Sequence, residues 1–370
     1  MSAHVETVLQ FGAGRFLRAF VDRFVQHAND AGKAVGRVVV VQSTPGPRAQ
    51  LLNEQPAGYH VLVRGIENGE VVERIEVVRS VQRAMLADAE WQQVLEIARS
   101  AQLQFIVSNS TEAGYALDLH DQLTSAPPRS WPGKLTQLLW HRFQAGAAPV
   151  VILPCELFES NAEKLRELTS QQGRQWALPD AFLRWMTQEC CWLNSLVDCI
   201  VTAGPPDHPL ASADRLLVCA EPYALWAIAR PASADMSLSW HPAMRMVDDL
   251  APYYLRKVRI LNGLHTAMVG KFRGAGFTTV QQLLADRHAL RWARDLVYEE
   301  IVPTLAYRLD SVAEFADQVF DRFRNPFLAH QLSDIALHHK EKVRIRLEPT
   351  RSEYEKLFGK APRLLTEAMA

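Results

Sequence analysis

The first forty residues restrict the fold more than any other part of the chain. Thr7–Phe11 ends in the apolar run VLQF and passes at once into Gly12-Ala13-Gly14. Phe16, Leu17, Phe20, Phe24 and Ala28 then recur at helical spacing, which predicts a helix to about Ala31. Gly36 opens the valine run Val38–Val41, which reads as a strand buried on both faces. Strand, glycine turn, helix and strand in so short a span make a βαβ unit, and its right-handed crossover requires a parallel sheet.

The alternation continues. Tyr59–Ile66 and Val71–Val78, joined by Glu67-Asn68-Gly69-Glu70, read as an antiparallel hairpin inserted in the run of that sheet. A helix near Asp88–Ser100 leads to the strand Gln104–Val107, which ends in Ser108-Asn109-Ser110-Thr111-Glu112. A helix near Lys134–Ala145 leads to the strand Val150–Leu153, which ends in Pro154-Cys155-Glu156. This pattern predicts a doubly wound α/β domain over residues 1–247. From about Met246 the spacing turns helical, through Leu283–Ile301 and Val312–Phe323, with only Val343–Leu347 reading as extended. A mainly α-helical second domain is therefore expected over residues 248–370.

Composition removes several classes of function. With 40 Lys and Arg against 41 Asp and Glu, the formal net charge is −1, and there is no electrostatic case for nucleic acid or an anionic membrane. No stretch of membrane-spanning length is free of charge, and MSAHVETVLQFGAGRF has neither the basic nor the apolar region of a signal peptide, so a cytoplasmic protein is expected. The five cysteines are odd in number and lack CxxC spacing, which predicts buried reduced thiols. The histidines form no HExxH pair, so no metal site is expected.

Two segments carry chemistry. Gly12-x-Gly14 stands where a dinucleotide fold needs a tight turn and a close backbone approach to a pyrophosphate. Leu17 occupies the place of the third glycine of GxGxxG. The second strand ends in Gln42-Ser43-Thr44 without the carboxylate that usually holds the ribose of NAD, and Arg48 leaves NADP open. On the helix through Lys257, Asn262 and His265, 100° per residue puts His265 about 80° and Asn262 about 140° around from the lysine. A lysine there can exchange the carbinol proton while an amide and an imidazole donate to the alkoxide. The same spacing also fits a solvated lysine and a satisfied histidine. Tyr253 and Lys257 have the Tyr-x-x-x-Lys spacing of short-chain dehydrogenases, but GAGRFL replaces the TGxxxGxG turn that such an enzyme needs.

In order along the chain, GAGRFLRAFV, SNSTEAGY, LVDCIVT, KVRILNGLHTA and RFRNPFLAHQLSDIAL resemble the polyol-specific long-chain dehydrogenases of the mannitol dehydrogenase family. QFGAGRFLRAFVD, PCEL and Ile301-Val302-Pro303-Thr304-Leu305 are most similar to its tagaturonate-reducing branch. The resemblance implies a Rossmann-type N-terminal domain, a helical C-terminal domain and a catalytic cleft between them. It implies Lys257 as general acid and base, with Asn262 and His265 holding the reacting oxygen. It puts Asp198 near the nicotinamide, although Cys199 stands where the motif has Arg, and Lys342 on the substrate.

The candidate cofactor-binding set is Gly12, Gly14, Arg15, Phe16, Gln42, Asn109, Thr111 and Asp198. Glu156 and Lys342 are the candidate substrate-binding residues. The expected reaction is metal-independent interconversion of D-tagaturonate and D-altronate with NAD, or with NADP, by a monomer or small homo-oligomer. Fructuronate reduction, a mannitol-type polyol dehydrogenase and an idle dinucleotide sensor are the alternatives. If Val343–Leu347 is a strand, Lys340, Lys342, Arg344 and Arg346 line one face of it. Such a face fits either a uronate carboxylate or a solvated edge strand.

Overall fold

The computed structural model describes residues 5–67, 70–110, 114–157, 159–231, 238–327 and 330–369. The chain packs as two compact units. The first holds the chain up to Leu62, Ile75–Cys219 and Ala224–Leu250. The second holds Ala251 onward together with Val63–Arg74 and Ala220–Tyr223, two segments that the sequence pattern leaves in the first domain.

In chain order the strands are β1 (Glu6–Phe11), β2 (Arg37–Gln42), β3 (Tyr59–Glu67), β4 (Glu70–Val78), β5 (Val81–Leu86), β6 (Phe105–Ser108), β7 (Val151–Pro154), β8 (Cys191–Trp192), β9 (Ser195–Asp198), β10 (Val201–Ala203), β11 (Val218–Ala220), β12 (Leu225–Ala229) and β13 (Met244–Val247). Helices of the first unit include α1 (Arg15–Ala19), α2 (Val21–Asp30), α3 (Arg48–Glu54), α4 (Ala87–Arg99), α5 (Trp131–Gln144), α6 (Asn161–Gln175) and α7 (Asp180–Arg184).

The main sheet runs β5-β2-β1-β6-β7-β8, and every neighbouring pair in it is parallel. Counted in the order in which they occur along the chain, these strands read 3-2-1-4-5-6, the doubly wound dinucleotide-fold order. Both faces are covered, as the valine run predicts. Leu9, Val39 and Val41 pack with Trp91, Leu138 and Phe182, while Val8, Val38 and Val40 are equally buried.

Within the first unit, the structure departs from the sequence pattern at the first helix and at the hairpin. The predicted first helix breaks at Phe20 (φ −121°, ψ −78°), whose buried ring lies 4.9 Å from that of Phe16 and 4.4 Å from that of Phe24. The hairpin strands β3 and β4 do not enter the parallel sheet; they belong to a four-stranded sheet ordered β10-β11-β3-β4. The edge beside β2 is taken instead by β5, whose exposed Gln82 and Arg83 hide its strand character in the sequence. A third sheet orders β13-β12-β9.

The second unit contains α8 (Ala251–Leu255), a π-helical turn over Arg256–Asn262, α9 (Gly263–Phe272), α10 (Val280–Ala285), α11 (Arg287–Asp295), a second π turn over Leu296–Ile301, α12 (Val312–Phe323), α13 (Leu332–Ala336), α14 (His339–Arg346), α15 (Glu348–Phe358) and α16 (Arg363–Met369). Val343–Leu347 is therefore not a strand, because Lys, Glu and Arg in HKEKVRIR favour a helix and only Val343 and Ile345 are β-branched. Cys155, Cys190 and Cys219 are buried free thiols, whereas Cys191 and Cys199 are half-buried. No helix among the described residues is long and apolar enough to cross a membrane.

A buried polar contact supports the first two helices. The Tyr59 hydroxyl lies 2.9 Å from both the Arg18 carbonyl oxygen and Asp22 Oδ2. It has one proton to give. If Asp22 is protonated it donates to Tyr59, and Tyr59 donates to Arg18. Burial pushes the Asp22 carboxyl up to about 7, against the opposing pull of Tyr59 and of the Arg18 guanidinium. The folded chain then binds a proton that the unfolded chain has released, so this stability is present at low pH and is lost as pH rises from about 4 to about 7. Asp22→Asn should flatten that slope, which reaches at most about 1.4 kcal/mol per pH unit. Urea unfolding of both proteins between pH 4.5 and 8 measures it, and parallel slopes would show that Asp22 is ionised throughout.

Candidate active site

The candidate nucleotide-binding turn stands at the point where the strand order reverses, between β1 and β6. β1 stops at Phe11, and Gly12 turns with φ +129°, a conformation that L side chains rarely adopt. Its N–H donates to the Val41 carbonyl at 3.0 Å, and the Asn109 N–H donates to the Phe11 carbonyl at 3.2 Å. A Cβ on Gly12 would stand 3.0 Å from Leu17 Cδ1 and 3.6 Å from the Asn109 carbonyl oxygen.

Gly14 differs. Its backbone is ordinary (φ −68°, ψ 164°), and a Cβ there would meet nothing within 4 Å. It caps α1, whose first turn has no carboxylate and no side-chain cap. An open space above N–H groups that no side chain satisfies fits a dinucleotide phosphate. Arg15 beside it is exposed, and Phe16 is half-buried.

The candidate residues Lys257, Asn262 and His265 lie in the second unit. The turn Arg256–Asn262 is π-helical, so its hydrogen bonds run from i to i+5. Residues five apart then stack along the axis as residues four apart do in an α-helix. Lys257 and Asn262 are five apart, so the turn brings onto one face two residues that α-helical phasing leaves about 140° apart. His265 follows one helical turn later on α9.

Asn262 and His265 are both buried, and Asn262 Nδ2 and His265 Nε2 have no hydrogen-bond partner among the described residues. The His265 ring stacks on Phe323 at 4.0 Å, with an interplanar angle of 15°, and meets His330 edge-to-face at 4.5 Å. Burial holds the His265 imidazole well below its ordinary pKa. Nearby His330, Arg346, Arg322 and Lys342 push the same way, so the ring is neutral.

Two family models match the chain. The mannitol dehydrogenase Rossmann domain matches residues 6–242, and the mannitol dehydrogenase C-terminal domain matches residues 249–370. The chain belongs to the mannitol dehydrogenase family. Membership makes it an oxidoreductase. Among curated relatives, the altronate oxidoreductase of Klebsiella pneumoniae is 39% identical over 99% of this chain and 78% of its own length. That of Bacillus subtilis is 37% identical over 97% and 77%. The fold is shared with the Pseudomonas fluorescens mannitol 2-dehydrogenase, solved as a ternary complex with NAD and D-mannitol, at a TM-score of 0.84 and 19% identity over 99% of this chain and 78% of that one. A D-sorbitol dehydrogenase in substrate-free form gives a TM-score of 0.77 and 21% identity over 96% and 77%.

The remaining residues singled out from the mannitol dehydrogenase pattern have varied surroundings. Gln42 is buried and fully engaged in its own loop: Nε2 donates to the Thr44 and Gly46 carbonyls, and Oε1 accepts from the Ala49 N–H, all at 2.7 Å. It shapes the bend after β2, while Arg48, at the start of α3, is exposed.

Glu156 is buried at the end of β7. It accepts from the Ser110 N–H at 2.8 Å, the Tyr115 hydroxyl at 3.0 Å and the Ser108 hydroxyl at 3.2 Å. Its carboxylate thus ties down the loop after β6 that carries Asn109. Burial pushes its pKa up, and these donors oppose the shift. Asp198 is buried at the end of β9, opposite Leu225 of β12. Thr111 lies outside the described residues.

Lys342 sits on helix α14, and its Nζ donates to the Ile335 carbonyl at 2.8 Å. Arg346, four residues on and so on the same face, donates to Thr266 Oγ1 of α9 at 3.3 Å. Sequence reasoning missed His330, although it stands inside the quoted motif RFRNPFLAHQLSDIAL. It missed the pairing of Arg322 with Glu221 as well (2.7 Å, both buried). A lone histidine at the end of an apolar segment was the only signal for the first.

The two glycines should respond differently to substitution. Gly12→Ala forces a side chain into a disfavoured backbone conformation and should lower stability by about 1–3 kcal/mol. A Cβ at Gly14 meets no protein atom within 4 Å, so Gly14→Val should cost only about 1 kcal/mol of stability, from the poorer N-cap, yet weaken dinucleotide binding at least about tenfold, or 1.4 kcal/mol. Urea unfolding and calorimetric titration with NADH measure both. Unchanged affinity in a folded Gly14→Val protein would move the dinucleotide site elsewhere.

Proposed function

We propose that this chain interconverts D-tagaturonate and D-altronate with a nicotinamide coenzyme, NAD in preference to NADP. The reading rests first on altronate oxidoreductases 37–39% identical across nearly the whole chain. The observation that carries the choice of a sugar acid over a neutral polyol is the charge around His265. Lys342 and Arg346 both depress its pKa from one face of α14, and they give a carboxylate a cationic partner.

Bound at the Gly12–Gly14 turn, the coenzyme would supply the hydride in the direction of reduction. The rest falls to the chain. Lys257 delivers a proton to the keto oxygen as it becomes a carbinol, and removes it in the reverse direction. Asn262 Nδ2 is a buried donor with no acceptor among the described residues, so it is available to that oxygen. His265 is neutral, and a neutral imidazole polarises an oxygen by donating a hydrogen bond without parting with its proton. That division of labour leaves Lys257 as the acid.

The NAD preference is supported by the NAD complex of the Pseudomonas fluorescens relative. Gln42 is bound up in its own loop, and Arg48 is the group that would read a 2′-phosphate. The same reading makes the protein cytoplasmic, a monomer or small homo-oligomer, with a small sugar acid as its partner.

NADH and NADPH oxidation with D-tagaturonate, D-fructuronate and D-fructose tests the assignment. The highest kcat/KM is expected with D-tagaturonate and NADH; a higher value with D-fructose would make the enzyme a polyol dehydrogenase. Lys257→Ala should lower kcat by about 10²–10⁴-fold while NADH still binds. A raised KM with kcat spared would instead make Lys257 a substrate-carboxylate ligand.

A further inference from the structure

Three buried polar atoms stand together in the second unit without partners among the described residues. They are Asn262 Nδ2, His265 Nε2 and His330 Nδ1. Asn262 and His265 share one face of the helix, and the His265 and His330 rings meet at 4.5 Å with an interplanar angle of 80°. Phe323 closes the other face of His265 at 4.0 Å. A buried polar atom left unpaired is destabilising, and native structures rarely keep one without a reason. Two of them on rings in contact, with the third one helical turn away on the same face, describe a polar patch suited to a ligand that carries several oxygens close together.

The reading above uses two of the three, on the single reacting oxygen. We propose that His330 is a further specificity-determining residue of this site, whose Nδ1 hydrogen-bonds a hydroxyl on the carbon next to the keto carbon. The inference rests on the proposed sugar-acid chemistry, but only for the identity of the substrate. The two rings meet edge-to-face at 4.5 Å, a spacing within reach of adjacent oxygens on one carbon chain. The backbone holds His330 in place, because its carbonyl accepts from the Val280 N–H at 3.0 Å at the start of α10. Burial lowers the His330 pKa to about 4, so its neutral imidazole can donate or accept a hydrogen bond at neutral pH. A site built to bind a hydroxyl rejects an analogue without it far more strongly than an apolar pocket rejects a missing methylene.

The test compares His330→Phe, which keeps an aromatic ring and removes both nitrogens, with His330→Asn, which keeps a hydrogen-bonding group where Nδ1 stands. Each is assayed with D-tagaturonate and with the two analogues that each lack one of the hydroxyls flanking the keto carbon. With the parent substrate, kcat/KM of His330→Phe should fall at least about tenfold, and His330→Asn should recover part of the loss. With one of the two analogues, wild type and His330→Phe should be nearly equal, because the lost partner is already missing. Equal losses on all three substrates would make the role of His330 structural and overturn the inference, as would no loss on any. If wild type does not turn over D-tagaturonate, the sugar-acid reading fails by itself. The same comparison, run on the deoxy analogues of whichever keto-sugar it does reduce, still decides the role of His330.

Discussion

Strand β1 is hydrogen-bonded in parallel on both edges, to β2 and to β6, and its side chains from Thr7 to Phe11 are buried. A strand so enclosed cannot tilt or slip without exposing apolar groups and breaking two ladders. Where it ends, the chain must leave the sheet at once and return over its face. That requirement forces Gly12 into a backbone conformation open mainly to glycine, and it starts α1 at the strand-order reversal. The glycine turn is thus a consequence of the way β1 is held. Glu156 extends the same logic to β6, because its buried carboxylate fixes the loop that follows that strand.

In the second unit the decisive feature is a departure from regular geometry. The π-helical turn Arg256–Asn262 adds a residue to one turn of helix and rephases everything after it. Lys257, Asn262 and His265 share a face because of that extra residue. Helix α14 then sets Lys342 and Arg346 toward α9. Lys342 and Arg346 thereby join burial in holding the His265 imidazole neutral.

Much of the first unit was legible because buried parallel strands are written as apolar runs and turns as glycines. Val38–Val41, the helix at Val312–Phe323 and the chemistry-bearing segments all announce themselves locally. The parts that were not legible depend on partners distant in sequence. β5 looks polar because it is an edge strand. The hairpin β3–β4 pairs with β11, which enters some 140 residues later along the chain, so nothing local shows which sheet it joins. The alternation of charge over Lys340–Leu347 imitates a strand, but its helix-forming side chains and its contact with α9 prevail.

What the sequence by itself determined is the pattern of elements, the glycine turn and the residue types available for chemistry. Each of these is set by local sterics or by periodicity, which neighbouring residues suffice to express. Only the tertiary structure decided which polar atoms of the described residues are buried without partners, that Gln42 serves its own loop, and that Glu156 holds the loop after β6. The tertiary structure also decided that His330 lies against His265. Burial and hydrogen-bond satisfaction are properties of groups brought together from far along the chain, and no window of sequence contains them.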